Sequence, residues 1–336
     1  MKKTYFLGSN TAEGFFGDFS HLTASKTVVL KGGAGTGKST LMKKVNEIAE
    51  DAGFDTEIYR CSSDVSSLDA VFVPSKNFAV IDGTFPHVTE ADVPLLSGFL
   101  FNLVDKADYK KIAPYDAEIK RALSLKKQHF NDAYCALKCA NVIFEHNKSK
   151  IERGFEDEIF GVVSSFFSRL ETSHGKRETR FVSAYTDDGF VDFLHADFSG
   201  NYKIGIHSEY PEIVVLFITK LASILDAHGV RYTAFRAPYS PNFFDALEVD
   251  GVIIADEKRL SPVSETVQID LAIFADMRAE IDASHSLHDA LIDKATSHIR
   301  LARLSHASVE RIYSPAMDWT DVDNKTDKIL CLLFDC

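Results

Sequence analysis

A glycine-rich segment near the start of the chain has the residue types that hold a row of phosphate groups. It reads Gly32-Gly33-Ala34-Gly35-Thr36-Gly37-Lys38-Ser39-Thr40. Phosphate oxygens need several backbone N–H groups that converge without side chains between them, and glycine allows this. The spacing of Gly32, Gly37, Lys38 and Ser39 satisfies the Walker A pattern, in which the lysine reaches the β- and γ-phosphates and the serine binds Mg²⁺. We expect residues 32–40 to bind a nucleotide.

The segments on either side of this loop fit the same interpretation. Residues 27–30 are β-branched and aliphatic residues without polar alternation, which is typical of a strand inside a parallel sheet. A helix beginning near Lys38 would turn its positive N-terminal end toward the phosphates. A strand, a glycine-rich turn and a helix in this order are the context that the pattern requires.

A second anchor for Mg²⁺ is expected at the end of another hydrophobic strand. Residues 78–81 are apolar and are followed by Asp82. A carboxylate at this place holds the metal together with the Ser39 hydroxyl. Gly83, rather than a glutamate that could polarise water, follows Asp82. This argues for slow rather than vigorous ATP hydrolysis.

Further polar residues follow the ends of the predicted strands. A strand over residues 55–60 leads to Asp64, a turn is predicted at residues 67–69, and His87 follows Asp82 by five residues. Ligands of open α/β sheets gather at the carboxyl ends of strands, so Asp64 and His87 could orient water or an acceptor. Solvated loop residues are the alternative. The candidate catalytic residues are Lys38, Asp82, Asp64 and His87.

The sequence contains an internal repeat. Residues 6–15 align with 181–190, 78–82 with 252–256 and 117–119 with 279–281, in the same order along the chain, and Arg60 aligns with Arg236. Chance similarity between α/β segments is the alternative. The repeat predicts an α/β protein with the P-loop NTPase fold, as two similar parallel-sheet halves with helical insertions. We place an active half at residues 1–175, with a helical section at 115–170, and a degenerate half at 176–336, with one at 265–312.

The second half lacks the phosphate loop. Val214 stands where the first half has Lys38, Pro211 removes a backbone donor, and Glu209 and Glu212 would repel phosphate. We expect one nucleotide per chain. Arg236 could act across the interface between the halves as a charge-stabilising finger, or it could form an ordinary ion pair.

The composition limits the classes of partner and the cellular compartment that we expect for this protein. The formal charge of −12 gives no net attraction for nucleic acid or anionic lipid, so nucleic acid is an unfavoured partner and no membrane is expected. Five scattered cysteines without a CxxC pair indicate reduced thiols, and no export signal is apparent. We expect a cytoplasmic protein. Cys135 and Cys139, four residues apart, could bind a metal or could lie on an ordinary helix face.

With both halves aligned, the chain resembles an uncharacterised bacterial family of tandem P-loop ATPase-like proteins, known mainly from Firmicutes. The resemblance is carried by residues 6–15, 31–41, 59–64, 67–69 and 81–87 and covers nearly the whole chain. It implies a P-loop NTPase fold and nucleotide binding, but no particular substrate. In that family the second half can also carry a Gly-Lys-Ser/Thr loop, which this chain lacks.

Three functions are compatible with these features. The first is a slow Mg²⁺-dependent ATPase or ATP-driven switch, and the second is a small-molecule or nucleotide kinase whose helices close over an acceptor. The third is a nucleotide sensor that controls a protein partner. ATP is favoured over GTP, because no guanine-specific Asn-Lys-x-Asp motif follows the loop in the active half. Basic residues that could form a kinase lid, or simply a solvated helix face, are Lys106, Lys110, Lys111, Lys120, Arg121, Lys126 and Lys127.

Overall fold

The computed structural model describes residues 2–18, 22, 24–85, 88, 90 and 93–335. The first repeat comprises β1 (Lys2–Phe6), β2 (Gly8–Thr11), β3 (Gly14–Gly17), β4 (Lys26–Lys31), α1 (Lys38–Asp51), β5 (Thr56–Cys61), β6 (Asp64–Val73), β7 (Phe78–Asp82), β8 (Gly98–Asn102), α2 (Tyr109–Ile112) and α3 (Asp116–Phe167). The second comprises β9 (Arg177–Arg180), β10 (Ser183–Thr186), β11 (Gly189–Asp192), α4 (Leu194–Asp197), β12 (Tyr202–His207), α5 (Pro211–Ala227), β13 (Tyr232–Ala237), β14 (Ser240–Val249), β15 (Val252–Asp256), α6 (Glu257–Leu260), β16 (Glu265–Gln268), α7 (Ala275–Tyr313) and α8 (Trp319–Phe334).

The two six-stranded sheets have the same topology. Their strand orders are β1-β5-β6-β7-β4-β8 and β9-β13-β14-β15-β12-β16. In both, the third strand is antiparallel to its two neighbours and the other pairs are parallel. The α/β class is confirmed, but the expectation of parallel sheets is wrong, because both sheets are mixed. A two-residue turn at 62–63 joins β5 to β6, and a connection this short permits only antiparallel pairing. Residues 67–69, predicted as a turn, lie within β6.

Two equivalent hairpins show the repeat at the level of single hydrogen bonds. In β2–β3 the Thr11 hydroxyl donates to the Gly14 carbonyl at 2.8 Å and accepts from the Glu13 N–H at 3.1 Å. In β10–β11 the Thr186 hydroxyl donates to the Gly189 carbonyl at 3.0 Å and accepts from the Asp188 N–H at 3.1 Å. The sequence similarity between residues 6–15 and 181–190 therefore corresponds to one conformation used twice.

The paired arginines of the repeat also have matching positions. Each lies at a bulge in its strand, and each guanidinium donates to a carbonyl five residues further on, from Arg60 to Val65 at 3.3 Å and from Arg236 to Pro241 at 2.5 Å. Arg236 also contacts Asp18 at 3.4 Å. Of the two roles considered for Arg236, the described contacts are those of the ordinary ion pair.

Four layers, helix–sheet–sheet–helix, build the core. Alternate residues of each strand point to opposite faces, so Val80 of β7 faces the helices and Ile81 faces the other sheet. The layer between the sheets includes Tyr5, Tyr59, Ala70 and Ile81 from the first sheet and Phe235, Ala246, Ile253 and Ala255 from the second. The two repeats thus share one buried interface.

The outer helices are exchanged between the repeats. The last part of α3, with Ile159 and Phe166, packs with α5 on the second sheet. In return α8, with Val322, Ile329 and Leu333, packs with α1 on the first sheet. Each sheet is therefore covered in part by a helix that belongs to the other repeat, and the two repeats interlock.

The long helices α3 and α7 pack along each other. The helical section predicted at 115–170 corresponds to α3, Asp116–Phe167. The one predicted at 265–312 begins later, at Ala275, because residues 265–268 form β16 beside β12. Ala133, Ala140, Ala295 and Ala302, which the repeat aligns in pairs, are all fully buried. Such small side chains let two helices approach closely.

Candidate nucleotide site

The glycine-rich loop joins the end of β4 to the start of α1. Gly35 and Gly37 have φ angles of 71° and 91°, which side-chain-bearing residues rarely adopt. A Cβ on Gly35 would lie 2.7 Å from the carbonyl oxygen of Glu310 in α7. A Cβ on Gly37 would lie 2.9 Å from the Trp319 ring of α8. Glycine is required here both by the backbone conformation and by the closeness of two helices from the end of the chain.

Lys38 is held inside the loop by carbonyl oxygens. Its Nζ donates to Gly32 O at 2.5 Å and to Gly33 O at 2.8 Å, and it lies 3.7 Å from Asp82 Oδ2. Asp82 reaches it because β7 pairs with β4, which places Asp82 opposite Leu30, just before the loop. The sequence-predicted pair therefore meets in the structure. The ammonium therefore lies between the loop carbonyls and the strand-end carboxylate.

Oxygen atoms suited to a divalent cation lie beside this pair. The Ser39 hydroxyl accepts from the Leu68 N–H at 3.0 Å, and Asp82 Oδ1 accepts from the Thr84 N–H at 2.8 Å. Burial raises the pKa of Asp82, Lys38 opposes that shift, and the nearby Asp69 carboxylate adds to it. A hydroxyl and a carboxylate are donors that Mg²⁺ prefers. Ser39 and Asp82 are therefore the residues that could hold it, and Asp69 adds negative charge nearby.

Asp64 is bound by an arginine from α7. Arg303 Nε lies 2.9 Å from Asp64 Oδ2, and the Ser66 and Ser67 hydroxyls donate to the same carboxylate at 2.6 and 2.8 Å. Burial alone would raise the pKa of Asp64, but the serine hydrogen bonds and the Arg303 charge together lower it. Asp64 is thus held as a carboxylate, and Arg303 is held at the site by it.

A second cation reaches the loop from α3. Lys126 Nζ lies 2.9 Å from His306 Nδ1 of α7, and His306 Nε2 lies 3.7 Å from Glu310. Burial, followed by the charges of Lys126 and Arg303, lowers the pKa of His306 to about 3, so the neutral imidazole accepts a hydrogen bond from Lys126. Burial lowers the pKa of Lys126 too, with Lys38 among the other contributing charges. Cations from three helices therefore converge on one region.

Sequence reasoning missed Arg303 and His306 and placed Lys126 only in a broad basic patch. Residue spacing could not reveal them, because α7 follows the loop by more than 200 residues. His87 lies outside the described residues. Cys61 lies at the end of β5, and burial, reinforced by the charge of Asp69, raises the pKa of its thiol well above the usual value. A thiol that stays protonated is a poor nucleophile.

The corresponding turn of the second repeat is closed. Three residues, 208–210, join β12 to α5, which begins at Pro211. Glu212 is fully buried there and accepts from His285 Nε2 of α7 at 2.8 Å and from Asn147 Nδ2 of α3 at 3.2 Å. This turn is therefore short, and the acidic residue that follows it is bound by side chains of α3 and α7.

Comparison with known proteins gives no assignment: no family model, no curated protein and no solved structure matches this chain. Within the described part of the chain, no helix has the length and apolarity that crossing a membrane requires.

Proposed function

We propose that the chain binds Mg²⁺-ATP at residues 32–40 and hydrolyses it slowly, as an ATP-driven switch with the P-loop NTPase fold. The observation that carries this proposal is the position of Lys38, whose ammonium lies between the loop carbonyls of Gly32 and Gly33 and the carboxylate of Asp82. A positive charge and a strand-end carboxylate thus lie side by side, as the binding of a phosphate chain together with Mg²⁺ requires.

Each residue of the loop has a role in this proposal. The backbone N–H groups of residues 33–40 bind the phosphate oxygens, and Lys38 exchanges its contacts with carbonyl oxygens for contacts with the β- and γ-phosphates. Ser39 and Asp82 hold the cation, and the nearby negative charge of Asp69 favours its binding. When bound, Mg²⁺ would neutralise charge on the β- and γ-phosphates.

Arg303 and Lys126 are well placed to complete the site. Charge builds up on the phosphate oxygens in the transition state of phosphoryl transfer, and cations held near it stabilise that charge. Arg303 reaches the site from α7 and Lys126 from α3, so bound nucleotide would pull both helices toward the loop. In this proposal Arg303 shares its charge between Asp64 and the γ-phosphate, which couples the helix pair to the state of the nucleotide.

A non-catalytic ATP sensor is the second candidate. It is favoured by the bonding of Asp64, whose carboxylate is engaged by Arg303, Ser66 and Ser67 and is therefore a weak general base. It is also favoured by Gly83, which follows Asp82 where a water-polarising glutamate would stand. Both candidates require the same nucleotide site and differ only in turnover.

The test is a thermal-shift panel of ATP, ADP and GTP, with and without Mg²⁺, followed by a phosphate-release assay. A ligand at one hundred times its dissociation constant stabilises the folded state by about 2.7 kcal/mol. We expect Mg²⁺-ATP to give the largest shift and Lys38→Ala to abolish it. Lys44→Ala is the matched control, because Lys44 lies on the same helix in an exposed ion pair with Asp323. Equal shifts for the wild type and Lys38→Ala would refute the proposal, and binding without phosphate release would select the sensor.

A further inference from the structure

Two histidines face each other across the contact between α3 and α7. The ring centroids of His129 and His298 lie 5.8 Å apart, with 36° between the ring planes. Asp132 follows His129 by three residues, so it lies on the same face of α3, and its carboxylate is 3.8 Å from His298 Nδ1. One ligand-type atom from each of the three side chains lies within 4.8 Å of the other two.

One nitrogen of each imidazole in this cluster makes no hydrogen bond within the described residues. Within the described residues, Nδ1 of His129 and Nδ1 of His298 are both buried and have no hydrogen-bond partner. A buried polar nitrogen without a partner is costly, and each such group in a folded protein calls for an explanation. A metal ion bound by these nitrogens would remove the cost at both positions together.

We propose that His129, Asp132 and His298 bind one divalent transition-metal ion of the Zn²⁺ class and thereby fasten α3 to α7. Two imidazoles and one carboxylate are a common protein donor set for Zn²⁺, and the fourth position is left to water. Tetrahedral coordination at the usual bond lengths puts ligand atoms roughly 3.3 Å apart. The ligand atoms now lie up to 4.8 Å apart, so metal binding would draw them together by up to about 1.5 Å.

An open cleft gives the ion access. A groove of about 340 Å³ runs beside the cluster and is lined by Asp132, Cys135, Cys139, Leu291, Lys294 and His298. A water molecule from the groove would take the fourth position. Cys135 and Cys139, considered from the sequence as a metal pair, lie along this groove, whereas the atoms that converge belong to the two histidines and the aspartate.

The position of the cluster gives the metal a structural consequence. His129 follows Lys126 by three residues on α3, and His298 precedes Arg303 by five on α7, so the separations along the helix axes are roughly 4.5 and 7.5 Å. A metal here would fix the spacing of the helices that bring both cations to the loop. The metal site itself does not depend on nucleotide binding, and Lys38→Ala should leave it unchanged.

The test is a Zn²⁺ titration of the full chain, stripped with a chelator, against a chromogenic competitor and without nucleotide. We expect one equivalent to bind, and His129→Ala and His298→Ala each to weaken binding at least tenfold. His146→Ala is the matched control, because His146 lies on α3 with an exposed side chain and should leave the affinity unchanged. Co²⁺ in place of Zn²⁺ should give the visible absorption of a tetrahedral site in the wild type and lose it in His298→Ala.

Two further variants distinguish a loss of metal binding from a loss of folding, and binding by the histidines from binding by the thiols. His298→Gln preserves the volume at the helix contact, and its far-ultraviolet circular dichroism should match the wild type while its Zn²⁺ affinity falls. Cys135→Ser/Cys139→Ser should bind Zn²⁺ as the wild type does. The proposal is overturned if the wild type shows no saturable binding, if both histidine variants keep wild-type affinity, or if the double cysteine variant loses it.

Discussion

Replacing Arg303 with alanine separates a catalytic role of this residue from a structural one. Arg303 is 25% exposed and its partner Asp64 is 13% exposed, so the variant leaves a largely buried carboxylate without its cation. Losing one partner of a fully buried pair costs about 3–5 kcal/mol. Because Ser66 and Ser67 still bind Asp64 and water can reach the gap, we expect a smaller loss, about 1–3 kcal/mol, by urea denaturation.

The catalytic consequence should be larger than the loss of stability suggests. An arginine that stabilises transferring phosphate is worth about 10³-fold or more in turnover. With ATP saturating, and under conditions in which the variant stays folded, single-turnover hydrolysis by Arg303→Ala should fall about 10³-fold. The ATP dissociation constant should change by less than about tenfold, because the contact strengthens in the transition state. Arg303→Lys should recover part of the rate.

Arg300→Ala is the matched control for this experiment. Arg300 lies one turn earlier on α7 and donates to the Asp187 carbonyl at 3.1 Å, so its loss should leave hydrolysis unchanged. If Arg303→Ala turns over ATP within threefold of the wild type, Arg303 is a structural partner of Asp64 and the assigned role is wrong. A rate that falls equally in Arg300→Ala and Arg303→Ala would point to a general disturbance of α7.

Three other perturbations follow from the packing and the charges. Gly35→Ala places a methyl group 2.7 Å from the Glu310 carbonyl in a left-handed conformation, so it should lower stability by about 1–3 kcal/mol and weaken the ATP-induced thermal shift. Ile329 lies on the fully buried face of α8, so Ile329→Ala should lower the free energy of unfolding in urea by about 2–5 kcal/mol. The control Asp327→Ala, at an exposed position of the same helix, should lower it by less than about 0.5 kcal/mol, and equal losses would contradict the exchange of helices. The pKa of His306 is about 3 in the folded protein and near 6.5 in the unfolded chain, so the neutral ring contributes stability above pH 6.5 that is lost as the pH falls. From pH 6.5 to 5 the free energy of unfolding of the wild type should fall by up to about 2 kcal/mol relative to His306→Gln, and parallel pH profiles would contradict this.

The parts of the site that the sequence predicted are those fixed by neighbouring strands. Lys38 and Asp82 follow strands that lie side by side, so a local pattern of apolar residues was enough to bring them together. The antiparallel β6 was missed because its polar start, with Asp64, Ser66 and Ser67, has the composition of a turn. Its pairing with β5 and β7 is set by the sheet, not by the propensity of the segment.

The helical contribution to the site was beyond prediction for a different reason. The apolar periodicity of α3 and α7 indicates that each buries a face, but it does not specify the partner. Whether α8 packs on its own repeat or on the other one depends on the order of all four layers. The contacts of Glu310 with Gly35 and of Trp319 with Gly37 are consequences of that order, and no short segment of sequence encodes them.

The exchange of helices explains why a repeat without a phosphate loop would be retained. The first sheet carries the loop, but α7 and α8 approach the loop at Gly35 and Gly37. α7 follows β16 of the second sheet, and its His285 contacts Glu212 of α5, which packs on that sheet. A movement of α7 that brought Arg303 toward bound phosphate would therefore be felt at Glu212, in the first turn of α5. On the proposed function, the first repeat binds the nucleotide and the second is the rigid body against which α7 moves. Glu212→Gln, which weakens the buried contact with His285, should therefore reduce the ATP-induced thermal shift, and an unchanged shift would contradict this route.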